Sequence, residues 1–145
     1  MTLYQLLLFA HVLGVVIWLG GTLVLYLLWR RAVKTGDRGV VTTHADTLRW
    51  FERTLAMPAA IVVLAAGGWL MTAGDWPMEQ IWLHVGMAAV FGAAGVSMVW
   101  TARHRRKLTA GGEIKGLASR IDLGMIASML ILLVAFWAMI VKPGT

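Results

Sequence analysis

Charged residues are confined to a few stretches of this chain. Asp, Glu, Lys and Arg are absent from Met1–Trp29, Thr54–Gly74, Gln80–Ala102 and Leu123–Val141, uncharged windows of 29, 21, 23 and 19 residues. A bilayer's hydrocarbon core, about 30 Å thick, is crossed by about 20 helical residues rising about 1.5 Å each, so every window is long enough to span it. Transmembrane strands would alternate apolar and polar positions, whereas Ile61–Ala66 and Ile131–Trp137 are apolar without a break. The pattern predicts an all-α, integral membrane four-helix bundle, a single transmembrane domain over residues 1–145 with helices near 3–29, 48–73, 79–102 and 121–141. The first window lacks a basic leader and outruns the short apolar stretch of a secretory signal, so it reads as a retained helix.

Between the windows the periodicity changes. Ala45–Leu55 is amphipathic, with Leu48, Phe51 and Leu55 at helical spacing beside Arg49, Glu52 and Arg53, so the second helix begins ahead of its uncharged window. Lys34-Thr-Gly-Asp-Arg and Thr109-Ala-Gly-Gly-Glu read as turns. Pro58 is expected to kink the second helix unless it falls in the first turn.

Composition agrees with this picture. At 59% apolar and 14% charged, the chain lies outside the ranges of about 45–50% and about 25% typical of soluble domains. The absence of cysteine removes disulfides, thiolate metal sites and cysteine nucleophiles. A net charge of +6 would suggest nucleic acid, but 12 of the 13 basic residues lie in Arg30–Arg53 and Arg103–Asp122. The loop between helices two and three has only Asp75 and Glu79. This asymmetry is a topology signal: it puts loops 30–53 and 103–120 on the cytoplasmic side of the inner membrane and both termini outside. Tyr4, Trp76 and Trp82 then mark the outer interface, and Trp29, Trp50 and Trp100 the inner one. The Arg103–Lys107 run has no aromatic stacking platform, so nucleic acid is not an expected partner.

Two histidines fall inside apolar windows, His11 and His84, on helices that run in the same direction. At about 1.5 Å per residue they lie roughly 11 and 6 Å below the outer surface. Imidazoles at similar depth on parallel helices suit the two axial positions of a haem iron. His11, Gly14, Trp18 and Gly21 share one helical face, and His84, Ala88, Phe91 and Gly95 repeat the spacing. His11 and His84 are therefore the candidate metal ligands, with Gly14, Trp18, Gly21 and Ala88 as candidate cofactor-binding residues. The same small residues also suit close helix packing, either within a non-catalytic scaffold or between copies in a homodimer. His44 and His104 lie among charges and are expected to be solvated. Met57, Met71, Met87, Met98, Met125, Met129 and Met139 offer soft thioethers for Cu(I), so copper handling is the competing chemistry. P-loop, Gly-x-Ser-x-Gly and His-Glu-x-x-His motifs are missing.

His11 followed by Trp18 and Gly21 resembles the first-helix signature of the HemJ-type membrane protoporphyrinogen oxidases and of the related CopD-like membrane proteins. Met57-Pro58 with Gly68-Trp69-Leu70, Trp82-Leu83-His84, and Arg120-Ile121-Asp122 leading to Lys142-Pro143 resemble the family's later helices, so the likeness covers nearly the whole chain. The resemblance implies a four-helix bundle binding b-type haem, with His11 as a functional histidine. It also implies oxidation of protoporphyrinogen IX with electrons passed to a membrane acceptor. Gly86 and Ser97 stand where the oxidases carry a lysine and a second histidine, which places this chain nearer the CopD-like relatives.

Overall fold

The computed structural model describes residues 2–74, 77 and 79–142. Asp75 and Trp76 of the short loop, and Pro143 of the last motif, lie outside the described residues. Four helices are each long and apolar enough to cross a membrane: α1 (Leu3–Thr35), α2 (Arg38–Ala73), α3 (Ile81–Thr109) and α4 (Ile114–Val141). No strand occurs among the described residues. Spans of this composition associate with a lipid bilayer, where a helix satisfies its own backbone hydrogen bonds.

Local chemistry sets the helix ends. Thr2 and Gln5 form a reciprocal cap on α1: the Gln5 amide donates to Thr2 Oγ1 at 3.3 Å, and the Thr2 amide donates to Gln5 Oε1 at 3.0 Å. Gly36 ends α1 in the left-handed region at φ 67°, which a side chain would disfavour. Asp37 then caps α2, its Oδ1 accepting from the Val40 amide at 3.1 Å. These two residues are the whole connection. The second turn uses Gly111 at φ 97° in the same way.

At this end the helices run well beyond the uncharged windows. The cause is amphipathicity: Val41, Ala45, Leu48 and Phe51 are buried at spacings of three and four, and charged neighbours face outward. Leu108 on α3 and Ala118 and Ile121 on α4 join Val41, Ala45 and Leu48 in a basic-end core. Trp29, expected at an interface, lies fully buried in that core. Its indole N–H donates to Asp122 Oδ1 at 2.9 Å, which satisfies the donor, and Arg30 donates to Asp122 Oδ2 at 2.8 Å. Trp50 and Trp100 are exposed. His104, expected in solvent, is also buried, with Nδ1 at 2.8 Å from the Trp100 carbonyl and its ring against the Trp100 indole.

Both α2 and α3 contain a π-helical turn, Glu52–Ala56 and Val96–Thr101. In each the hydrogen bond reaches five residues back, from the Met57 amide to Glu52 and from the Ala102 amide to Ser97. In α2 the wide turn precedes Pro58, which has no N–H and crowds the preceding turn, and the helix continues through it to Ala73.

The bundle is two hairpins. α1 lies along α2, α3 lies along α4, and contacts between α1 and α4 join the pairs. α1 and α3 are diagonal, and the α2–α3 seam is thin. α1 approaches α2 closely at Gly14, where an added Cβ would stand 2.7 Å from Val63 Cγ2 and 3.1 Å from the Ala59 carbonyl oxygen.

Candidate functional site

His11 occupies the inward face of α1, one turn before Gly14, and is 8% exposed. Its Nδ1 lies 2.9 Å from the Val63 carbonyl oxygen on α2. A carbonyl only accepts, so Nδ1 is the donor in this contact. The ring has room because residue 67 is glycine: a Cβ there would sit 3.1 Å from His11 Cε1 and 3.2 Å from Nδ1. Anchoring one ring nitrogen on a backbone carbonyl is how proteins orient a metal-binding histidine.

That ring borders a cleft of about 240 Å³ between the two hairpins, at the end of the bundle where α1 and α3 begin. Tyr4 and Leu8 line it from α1, Gly67, Gly68 and Met71 from α2, and Trp82, Gly86 and Met87 from α3. Met139 and Lys142 line it at the end of α4. Gly86 keeps the space open, since a Cβ there would lie 3.6 Å from Met139 Cε. Lys142 turns into the left-handed region at φ 48° as α4 ends, and its Nζ lies 5.7 Å over the Trp82 ring. The Trp82 indole N–H donates to Gln80 Oε1 at 2.5 Å. The wall is therefore mostly apolar, with an imidazole, three thioethers and one ammonium facing a common space.

The residues singled out in the sequence separate into two groups. His11, Gly14 and Trp18 are buried together on the inward face of α1. Gly14 and Gly21 are spent on helix approach, Gly14 against Val63 and Ala59, and Gly21 against the Phe51 ring. Trp18 borders a second cleft nearer the basic end. His84 and Ala88 are exposed on the opposite face of α3, together with Phe91, and neither borders the His11 cleft. The structure does not bring His84 to His11. In place of His84, α3 presents Trp82, Gly86 and Met87 to the cleft.

Met71, Met87, Met139 and Lys142 join His11 through tertiary structure. Spacing alone carried part of the signal, because Gly67 with Met71, and Met139 with Lys142, are four and three residues apart and so share helix faces. Among the described residues no three His, Cys, Asp or Glu side chains cluster as a metal site.

Residues 5–143 match the family model described as a predicted integral membrane protein (DUF2269). No curated protein and no solved structure shows a match.

Proposed function

This chain belongs to the DUF2269 family of predicted integral membrane proteins, and from that premise we propose that it is a b-type haem protein, with His11 Nε2 as axial ligand, acting in electron transfer or porphyrin oxidation. The observation that carries the reading is the pairing of His11 Nδ1 with the Val63 carbonyl, on a ring that borders the cleft. Haem supplies one-electron chemistry at a potential set by its axial ligands. Gly67, Gly68 and Gly86 would leave two walls flat for a bound haem, and Met71, Met87 or Met139 would offer it a thioether. The cleft is below the ~300–1,000 Å³ usual for ligand pockets. A porphyrin would need more room than this, which a widening at the thin α2–α3 seam would supply. The basic end faces the cytoplasm by the positive-inside rule, so the His11 cleft opens near the outer surface. The likeness of the His11, Trp18 and Gly21 spacing to the HemJ-type and CopD-like proteins supports the same assignment.

Protein purified from haem-replete cells is expected to show a Soret band and a sharp reduced α band. His11→Ala abolishes both, and His84→Ala retains them. A colourless wild-type preparation refutes the reading. In the oxidase branch, a deletion strain accumulates protoporphyrinogen, and a normal porphyrin profile rules that branch out.

One observation favours a second reading, Cu(I) handling: the three thioethers share a cleft with one imidazole, a soft ligand set. Stoichiometric copper in colourless protein, lost in Met87→Leu and Met139→Leu, would select it over haem.

A further inference from the structure

A second cleft, of about 230 Å³, lies on the α2–α3 seam at the basic end of the bundle. Arg49, Glu52 and Arg53 of α2 and Arg105 and Arg106 of α3 line it. Arg105 is 5% exposed and donates to Glu52 Oε2 at 2.6 Å, so the one carboxylate is already engaged. Arg49, Arg53 and Arg106 are exposed and make no ion pair among the described residues. Four guanidiniums against one carboxylate leave three positive charges around the opening.

Deeper in, the lining turns apolar within about one turn, to Trp18, Phe51 and Ala60, with Met57 and Met98 exposed beside the mouth. The change falls where the uncharged stretch of α2 begins at Thr54 and that of α3 ends at Ala102, the level at which headgroups meet hydrocarbon. Both π-helical turns border this cleft, and π turns recur at functional sites. Guanidinium forks match phosphate oxygens bidentately, and basic pockets between membrane helices hold lipid headgroups. A soluble anion would leave the apolar wall uncovered.

We infer that this cleft holds an anionic phospholipid of the surrounding bilayer, its phosphate among Arg49, Arg53 and Arg106 and its acyl chains leaving over Met57 and Met98. Arg105, held by Glu52, is a positioning residue that ties α2 to α3 behind the headgroup. The site is separate from the His11 cleft and stands without the haem reading.

The test is native mass spectrometry of the full chain in mild detergent, with phosphatidylglycerol and phosphatidylcholine supplied equally. One phosphatidylglycerol is expected to be retained with a preference on the order of tenfold or more, since each arginine near an anionic headgroup contributes several-fold. The triple variant Arg49→Gln, Arg53→Gln, Arg106→Gln loses that preference. A control removing equal charge from exposed residues outside the cleft, Arg31→Gln, Lys34→Gln, Lys115→Gln, keeps it. Ala94→Phe, which fills the cleft without changing its charge, lowers retention as well. Excess inorganic phosphate does not displace the lipid. Equal loss in both triple variants, unchanged retention in Ala94→Phe, displacement by inorganic phosphate, or no preference for phosphatidylglycerol overturns the assignment.

Discussion

Replacing Gly14 with alanine is expected to destabilise the bundle and loosen His11, while the same change at Gly20 on the same helix is not. At residue 14 the new Cβ meets Val63 Cγ2 at 2.7 Å and the Ala59 carbonyl oxygen at 3.1 Å. Val63 is β-branched and nearly locked in one helical rotamer, and Ala59 presents backbone, so relief comes from moving α1 off α2. Overpacking of this kind costs about 1–3 kcal/mol. The same movement stretches the 2.9 Å contact between His11 Nδ1 and the Val63 carbonyl, a hydrogen bond worth about 0.5–1.5 kcal/mol. Against these stands the helix-propensity gain of alanine over glycine, about 0.8–1.0 kcal/mol. The balance is a net loss of about 0.5–3.7 kcal/mol. At Gly20 nothing lies within 4 Å of the added Cβ, so only the propensity gain remains. Reversible unfolding in mixed micelles with increasing sodium dodecyl sulfate measures both variants. Val63→Ala removes the nearer clashing atom, so Gly14→Ala should cost less in that background than in the wild type. A Gly14→Ala protein as stable as Gly20→Ala would refute the close α1–α2 approach and the anchoring of His11 that depends on it.

Other substitutions probe separate contacts. Asp122→Ala strands the buried Trp29 indole N–H and should cost about 1–3 kcal/mol, whereas Asp122→Asn keeps an acceptor at Oδ1 and should recover most of the melting temperature. Arg105→Met leaves Glu52 unpaired on the seam; because that carboxylate is partly exposed, the loss belongs near the lower end of the ~3–5 kcal/mol for a broken buried pair. Adding Glu52→Gln to Arg105→Met should restore stability in thermal melts, and a double variant no better than the single one would show that the ion pair is not the relevant contact. Gly67→Ala crowds the His11 ring without removing it and should weaken haem titration by about 10–100-fold, the effect of disturbing a ligand's supporting shell.

Charge spacing made the four helices legible, because a bilayer admits few charges and the windows between them have the length of a span. It under-reported their length. Past Trp29 and ahead of Thr54 the chain leaves the uncharged regime, yet Val41, Ala45 and Leu48 keep a buried stripe that carries the helix through charged sequence. His11 was legible as inward-facing because Gly14 and Trp18 follow on its face. The orientation of His84 was not. In soluble proteins the polar face identifies the outside, but lipid is as apolar as the packed interior, so His84, Ala88 and Phe91 form a regular stripe that could face either way. They face outward. The gathering of Met71, Met87, Met139 and Lys142 around His11 depends on how the hairpins meet, which no single-helix pattern encodes.

The two wide turns have a consequence for how the chain tolerates change. Each holds one residue more than an α-helix of equal rise, and one residue corresponds to about 100° of rotation. The apolar shaft and the basic-end segment of α2 therefore keep separate phases along the sequence, with Glu52–Ala56 as the offset between them. Removing one residue there would restore a plain α-helix and leave the two segments in the same phase in space as before, so Val41, Ala45 and Leu48 would stay in their core. A single-residue deletion between Leu48 and the wide turn, or just beyond it, would instead rotate one segment by about 100° against the other, so deletions should be tolerated far better at Glu52–Ala56 than on either side of it.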